Sequence, residues 1–202
     1  KGRRKDRVTL PLTDSDLRNV LGKFGLTQSS HLVIYDDMGG LNAARLFWQL
    51  EGIGHRKVSV MNGGLVKWIL EGRKVVNVPA RLKPTTYGGT GSGRKNLATM
   101  DDVDSAIKDG VTLLDVRSME EYMGDLKKKK GGHVPGAKWW EWSRSIDIGQ
   151  GFIHRPKSKL QSELAALGAS DKSRPVIAYC RSGHRAAQTY LTLRSLGYDN
   201  VK

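Results

Sequence analysis

The sequence has one cysteine, Cys180, among 202 residues, which excludes an internal disulfide and any zinc site built from several cysteines. Long apolar runs are also missing. None approaches the roughly 18–20 residues that a membrane-spanning helix needs, so no membrane partner is predicted. The chain begins KGRRKDR, without a secretory signal pattern, and a lone thiol suits a reducing compartment. We therefore expect a globular cytoplasmic protein, or a mitochondrial one if the source is eukaryotic.

Acidic residues are few, because 20 Asp and Glu stand against 34 Lys and Arg, for a net charge of +14. Such a field attracts anions, whether small substrates, acidic proteins or nucleic acids. The basic residues are spread out, apart from residues 1–5 and Lys127–Lys130. We expect Lys127–Lys130 to form a solvated loop, with an anion-attracting rim as the alternative. The sequence contains no zinc-finger spacing and no aromatic RNA-binding motif, which disfavours nucleic acid as the main partner. A small anion is the favoured partner, with an acidic protein as a further candidate.

One α/β pattern occurs twice, at residues 32–58 and 176–201. Each copy begins with a short apolar run typical of a buried strand, followed by a glycine-containing loop and an apolar-periodic helix. Gly54 and Gly197 stand at the matching ends of these helices, where left-handed caps are expected. Strands that alternate with helices through short connections predict parallel sheets covered by helices.

The stretch between the copies is rich in Gly, Pro, Ser and Thr and predicts a linker at residues 83–98. We assign residues 1–82 to one domain and residues 99–202 to a second, whose first helix is capped by Thr99. The second copy is preceded by a strand, VTLLDVR, that the first copy lacks, and MNGGLVKWILEG follows only the first copy. We therefore expect the first domain to lack its amino-terminal part and the second its carboxyl-terminal part.

The chemistry is concentrated in CRSGHR, residues 180–185, between the second buried strand and its helix. Parallel sheets bind ligands at this carboxyl edge. A helix N-terminus offers unpaired N–H groups and partial positive charge, which stabilise a thiolate. Arg181 and Arg185 add fixed charge, and Gly183 lets the backbone curl around an anion. The loop thus predicts an anion pocket with Cys180 as its nucleophile.

An ordinary buried thiol at a strand end is the alternative reading of Cys180. The first copy argues against it, because Asp36 stands at the matching place and no arginine follows until Arg45. We expect that copy to be a non-catalytic partner that helps to wall the cleft. Four residues separate Cys180 from Arg185, against five in tyrosine-phosphatase-like loops. The tighter loop favours a persulfide over a whole phosphate.

Four motifs together resemble the tandem-domain rhodaneses, the thiosulfate sulfurtransferases. They are LLDVRSMEEY (113–122), GGHVPGA (131–137), VIAYCRSGHRAA (176–187), and the cysteine-free VIYDDMGGLNAARLFW (33–48) with MNGGLVKW (61–68). The resemblance covers nearly the whole chain outside the linker. It implies two rhodanese-like domains, each a parallel five-stranded sheet flanked by helices, with the cysteine in the carboxyl-terminal domain.

The resemblance also implies a double displacement without cofactor or metal. Cys180 would take the outer sulfur of thiosulfate and release sulfite, and cyanide or a thiol would then remove the sulfur. The loop residues that would hold substrate and persulfide are Arg181, Ser182, Gly183, His184 and Arg185. Asp115 would brace the loop and Arg117 would form a structural ion pair. Helix capping or surface pairing is the alternative for both.

Two departures from the family pattern bear on the substrate. Glu121 stands where mammalian-type enzymes carry a substrate-binding arginine. The loop reads CRSGHR, which matches neither the CRKG type of thiosulfate enzymes nor the CG type of 3-mercaptopyruvate enzymes, although Arg181 favours thiosulfate. The alternatives are a 3-mercaptopyruvate sulfurtransferase, a protein sulfur-relay module, and a non-catalytic assembly subunit with a vestigial loop.

Overall fold

Helices and strands alternate along the chain in the computed structural model, which describes residues 10–80, 82–89, 93–124 and 131–202. The first half contains α1 (Asp14–Lys23), β1 (Leu32–Ile34), α2 (Leu41–Gly52), β2 (Val58–Val60) and α3 (Gly64–Leu70). The second half begins with α4 (Met100–Lys108), β3 (Thr112–Asp115), α5 (Met119–Met123), β4 (Lys138–Trp139) and a 3-10 helix (Trp142–Ser145). It continues with β5 (Ile146–Asp147), β6 (Ile153–His154), α6 (Lys157–Ala166), β7 (Val176–Tyr179) and α7 (His184–Ser195).

Each half builds a parallel sheet from short apolar strands. In the first half β1 pairs with β2, with Leu32 opposite Val58. In the second half β3 lies between β4 and β7, parallel to both, and Val201 extends the sheet through a bridge to Val176. Strands β5 and β6 form a separate antiparallel pair. The predicted fold class, two α/β halves with parallel sheets flanked by helices, is confirmed. Of the five strands expected in each half, the described residues supply two in the first and three plus the bridge in the second.

The two halves share a hydrophobic core because α2 packs along α7. Ala44 and Trp48 of α2 are buried in one cluster with Leu114 of β3 and Leu193 of α7. The Trp48 indole also donates a hydrogen bond to the carbonyl of Asn96 at 3.0 Å. Burying a leucine side chain stabilises the fold by about 1.5–3 kcal/mol, so this contact holds α2 at a defined place beside α7.

Glycines in the left-handed backbone conformation flank both of the repeated helices. Gly40 and Gly183, each with φ of +87°, precede the first residue of α2 and α7. Gly54 and Gly197, with φ of +81° and +90°, follow the ends of the same helices, as predicted. Glycine adopts this conformation without the steric cost of a Cβ atom. The capping box predicted at the start of α4 is present at Thr99.

The described part of the segment predicted as a linker, residues 83–89 and 93–98, packs against the first half. Tyr87 is buried, and its hydroxyl lies 2.6 Å from His55 Nδ1. The Thr85 hydroxyl donates a hydrogen bond to the carbonyl of Leu26 at 2.7 Å. Composition indicated only a connection here, whereas the structure shows one that is anchored by a buried aromatic side chain. The domain boundaries on either side of it stay predictions.

Both basic segments, residues 1–5 and the Lys127–Lys130 segment predicted as a solvated loop or an anion-attracting rim, lie outside the described residues. Within the ranges given above, no helix is both long and apolar enough to cross a bilayer.

Candidate active site

Cys180 lies at the carboxyl end of β7, in the short loop that leads into α7. Its thiol is free and half-buried. The backbone N–H of Gly183 donates a hydrogen bond to Sγ at 3.1 Å. The loop therefore curls around the sulfur, and at least one amide points at it rather than into the apolar interior.

Arg185 links the start of α7 to a carboxylate on α5. Its two terminal nitrogens donate to the Glu121 oxygens at 2.5 Å and 3.0 Å, which is bidentate geometry. The pKa of Arg185 is raised, chiefly by these hydrogen bonds and further by the Cys180 sulfur. Glu121 therefore orients Arg185 beside the thiol.

This ion pair predicts a pH-dependent contribution to stability. Hydrogen bonds from Arg185 lower the pKa of Glu121 from its usual 4.5 to about 2. A carboxyl whose pKa is depressed in the folded state stabilises the fold above its unfolded pKa and loses this contribution as pH falls toward the folded pKa. We expect urea titrations to find the wild type more stable than Glu121→Gln at about pH 6. The difference should shrink as the pH falls below about 4.5.

The control for this titration is Glu141→Gln, since the Glu141 side chain has no ion pair among the described residues. It should show no comparable pH-dependent difference from the wild type. A Glu121→Gln difference that stayed constant from about pH 6 to pH 3 would contradict the assigned pairing.

Asp115 and Arg117 form a buried ion pair one strand away from the thiol. The Asp115 side chain is fully buried and accepts hydrogen bonds from Arg117 Nε, from an Arg117 terminal nitrogen at 2.5 Å, and from the Tyr179 hydroxyl at 2.9 Å. Burial and this hydrogen bond raise the pKa of Tyr179 to about 12. Asp115 thus holds Tyr179, the residue before Cys180. No hydrogen bond joins it to the 180–185 loop in the described part of the chain.

The remaining loop residues differ in exposure, because Arg181 is exposed whereas Ser182 and His184 are half-buried. The Arg181 side chain is exposed and makes no hydrogen bond or ion pair within the described ranges. Ser182 Oγ lies 3.4 Å from His184 Nδ1. Burial lowers the pKa of His184, and the charge of Arg45 lowers it further. The two arginines of the motif are therefore separated: Arg185 is held beside the sulfur, and Arg181 lies at the rim.

Arg45, on α2 of the first half, also lies at the site, and sequence reasoning did not assign it there. Its NH1 atom is 3.5 Å from the carbonyl oxygen of Gly183, and its guanidinium carbon is 4.8 Å from the centre of the Trp48 ring. Burial lowers the pKa of Arg45, whereas the Cys180 sulfur acts to raise it. One sequence feature could have identified Arg45 as a site residue: it is an arginine within an otherwise apolar stretch of α2. The equivalent residue of α7 is Gln188.

The matching loop of the first half shows how such a cradle binds an anion. The Asp36 carboxylate accepts backbone N–H groups from Met38, Gly40, Asn42 and Ala43 at 2.7–3.0 Å. This cradle is therefore filled by the protein's own carboxylate. In the second half the corresponding first-turn amides of α7 have no intrahelical acceptor, as at any helix start. The Gly183 N–H, which matches that of Gly40, donates to the Cys180 thiol instead of to a carboxylate.

A cavity of about 390 Å³ opens beside Cys180. Both halves contribute to its wall, with Arg45 and Trp48 from α2 and Val134 and Tyr190 from the second half. The first half thus walls the cleft next to the thiol. Fold and site together define a class: a two-part α/β protein that presents its single thiol within a cradle of amides and guanidinium groups.

Comparison with known proteins gives the family. The family model for the Rhodanese-like domain matches residues 5–71 and 99–202, so the chain belongs to the rhodanese-like family. The thiosulfate sulfurtransferase of Azotobacter vinelandii is 31% identical over 196 residues, which are 92% of this chain and 68% of that protein. The sulfur carrier protein TtuD of Thermus thermophilus is 29% identical over 205 residues, which are 95% of this chain and 71% of that protein.

A solved structure agrees with this assignment. The crystal structure of SseA from Escherichia coli, described among the 3-mercaptopyruvate sulfotransferases, superposes with a TM-score of 0.79 at 25% identity. The match covers 96% of this chain and 72% of that one. The resemblance drawn from the four sequence motifs is therefore confirmed, and sulfurtransferase is the class of activity that these relatives support.

Proposed function

We propose that this protein is a thiosulfate sulfurtransferase that carries sulfur on Cys180. The observation that supports the proposal most directly is the 3.1 Å hydrogen bond from the Gly183 amide to Sγ, with the guanidinium of Arg185 beside it. Amide donors and fixed positive charge favour the thiolate, which is the nucleophilic form of cysteine. They also favour any anion bound next to it.

In the first step the Cys180 thiolate attacks the outer sulfur of thiosulfate. A new S–S bond forms to Sγ, and the original S–S bond of thiosulfate breaks with its electron pair leaving on sulfite. Arg185 and the exposed Arg181 stabilise the negative charge that develops on the departing sulfite. No general base is needed, because the thiolate has no proton to lose.

In the second step an acceptor removes the sulfur from the persulfide. Cyanide attacks the terminal sulfur, the S–S bond breaks, and its electrons return to Sγ, which gives thiocyanate and the starting thiolate. A thiol acceptor reacts in the same way and leaves with a persulfide. Splitting the transfer into two displacements is covalent catalysis. The first-turn amides of α7 and the Gly183 N–H hold the persulfide between the two steps.

Sulfur relay to a protein partner is the second candidate function. The similarity to a protein named as a sulfur carrier favours it, as does the net charge of +14, which would attract an acidic partner. 3-Mercaptopyruvate is the alternative donor, favoured by the similarity to SseA. For all three roles we propose residues 99–202 as the catalytic domain and residues 1–82 as its non-catalytic partner, in a reducing compartment such as the cytoplasm.

The proposal is tested by incubating the protein with thiosulfate, removing the excess, and measuring intact mass. We expect a gain of one sulfur atom, which cyanide then removes as thiocyanate. The chain has a single cysteine, so Cys180→Ser should gain nothing. Sulfur uptake from 3-mercaptopyruvate but not from thiosulfate would reassign the donor. Failure to take up sulfur from either, with hydrolysis of an aryl phosphate through Cys180, would overturn the proposal in favour of phosphatase chemistry.

A further inference from the structure

The thiol lies in the second half of the molecule, but one charged side chain at its pocket belongs to the first half. We propose that Arg45 is a positioning residue for sulfur transfer, which orients the Gly183 end of the loop and places a permanent positive charge near Sγ. The active site is then completed by the half that has no thiol. This inference rests on the proposed function, and its test is designed to separate the two.

The position of Arg45 is set by helix packing. Helices α2 and α7 pack against each other, and Arg45 projects from α2 toward Gly183, the residue that precedes α7. Its NH1 atom lies 3.5 Å from the Gly183 carbonyl oxygen, at the outer limit of a hydrogen bond. The Gly183 amide in turn donates to Sγ. A single glycine thus joins the arginine of one half to the sulfur of the other.

Stacking restricts where the guanidinium can go. Its central carbon lies 4.8 Å from the centre of the Trp48 ring, within the range of a cation–π contact. Trp48 is buried in the shared core, so the ring itself is held in place. Arg45 is half-buried between this ring and the loop. A planar cation held in this way is pre-organised, which a flexible lysine would not be.

Gly183 shows how closely the two groups approach. A Cβ atom built on Gly183 would lie 2.5 Å from Arg45 NH1, and the φ of +87° disfavours any other residue. The backbone conformation therefore favours glycine here, and a side chain at this position would also have to displace the end of Arg45. Gln188, at the equivalent place on α7, makes a different contact and accepts a hydrogen bond from Ser145 at 2.9 Å. At this equivalent position of the two copies, α2 has a positively charged side chain at the pocket, whereas α7 has a neutral one.

The charged groups around the loop define what Arg45 adds. Arg185, at the start of α7, interacts with the Cys180 sulfur and is bonded to the Glu121 carboxylate of α5. The charge of Arg185 is thus shared with a carboxylate. Burial lowers the pKa of the half-buried His184 imidazole, and the charge of the nearby Arg45 lowers it further. Arg45 comes from α2 of the other half. Burial lowers its pKa, whereas the Cys180 sulfur acts to raise it, so Arg45 and the thiol interact electrostatically. Removal of the Arg45 charge should therefore slow reactions in which Cys180 attacks as an anion.

The first measurement is the rate of alkylation by iodoacetamide as a function of pH. Because Cys180 is the single cysteine, the rate reports on that thiol alone. We expect Arg45→Gln to move the midpoint of this profile upward by roughly one pH unit. Arg45→Met, whose unbranched chain also packs on Trp48, should give the same shift. Arg45→Lys, which keeps the charge, should restore most of the wild-type midpoint.

The second measurement is the rate of sulfur uptake from thiosulfate below saturation. We expect a fall of about tenfold in Arg45→Gln, because one unit of pKa corresponds to a tenfold change in the equilibrium it controls. The matched control is Arg18→Gln. Arg18 lies in the same half as Arg45 and makes the same kinds of contact. It donates a hydrogen bond to the backbone carbonyl of Gly88 at 3.0 Å, and its guanidinium carbon lies 5.8 Å from the centre of the Tyr87 ring. The Arg18→Gln variant should show the wild-type alkylation midpoint and the wild-type rate of sulfur uptake.

The outcomes separate the two proposals. If the wild type takes up sulfur and Arg45→Gln and Arg45→Met match Arg18→Gln in both measurements, the inference about Arg45 is overturned and the proposed function stands. If the wild type takes up no sulfur while the alkylation midpoint moves in Arg45→Gln and returns in Arg45→Lys, the proposed function is overturned and the electrostatic role stands. Urea unfolding of each variant identifies any that fails to fold. If Arg45→Gln does not fold, Arg45→Met tests the inference in its place, and the reverse.

Discussion

Replacing Arg185 with methionine is expected to lower kcat for sulfur transfer from thiosulfate by about 10²–10³-fold. This is the cost of removing one preorganised donor from the charge that develops in a transition state. Arg185 has this role in our proposal because Glu121 holds it in bidentate geometry next to the Cys180 sulfur. The fall should appear mainly in kcat, because the charge on the leaving sulfite develops during bond breaking. Steady-state assays with thiosulfate and cyanide measure it.

Two further variants make the Arg185 prediction specific. Glu121→Gln keeps an acceptor for Arg185 but removes the charge that orients it, so we expect a smaller fall, of about tenfold. Arg174→Met is the matched control, since Arg174 is exposed and lies just before β7, at the opposite end of the strand from Cys180. It should retain wild-type turnover. An Arg185→Met enzyme within twofold of the wild type would remove Arg185 from the proposed mechanism.

Replacing Asp115 with alanine is expected to reduce the free energy of unfolding by about 3–5 kcal/mol. Removal of one partner from a buried ion pair leaves the other charge uncompensated in a low-dielectric environment. Here the carboxylate is fully buried, and its loss would leave the largely buried Arg117 without its counter-charge, with only the Gly132 carbonyl as acceptor, and the Tyr179 hydroxyl without its acceptor. A total stability of about 5–15 kcal/mol is usual for folded proteins, so the loss would be a large fraction of it. Urea denaturation of the wild type and the variant measures the difference.

The control for Asp115 is Asp104→Ala on the exposed face of α4, which should change stability by no more than about 0.5 kcal/mol. Asp115→Asn keeps the shape and one acceptor oxygen and should fall between the two. Because Asp115 also holds Tyr179, its variants should slow sulfur uptake through displacement of the loop. A loss of less than about 1 kcal/mol in Asp115→Ala would mean that Arg117 and Tyr179 find other partners or water.

Local features of the fold were predictable because their causes lie within a few residues. The glycine caps at Gly54 and Gly197 and the capping box at Thr99 were confirmed, since each depends on backbone conformation and hydrogen bonds within one turn. The parallel strands predicted from the apolar runs were also confirmed, because a run of apolar residues is itself a local signal. The packing of the segment at residues 83–98 was not predicted, because one buried aromatic, Tyr87, is invisible in a composition dominated by small and polar residues.

The candidate site was partly predictable. The order of Cys180, Gly183 and the helix start is local, so the sequence alone indicated an amide cradle around a thiol. Which side chains place their charge at the thiol depends on contacts between residues that are far apart in the sequence. The sequence suggested that Arg181 and Arg185 act alike, whereas Arg181 is exposed and Arg185 is held by Glu121, 64 positions away. The roles of these residues in transfer stay proposals.

By itself the sequence determined that a thiol, a glycine and a helix start follow one another, because strand, turn and helix signals act over a few residues. It also determined the family, because four motifs in order identify it. Only the tertiary structure decided that Arg45 contacts Gly183 across 138 positions and that Asp36 fills the cradle of the first half. Contacts of this kind depend on how α2 packs against α7 and how the loop folds around a side chain. Spacing along the chain does not encode those distances.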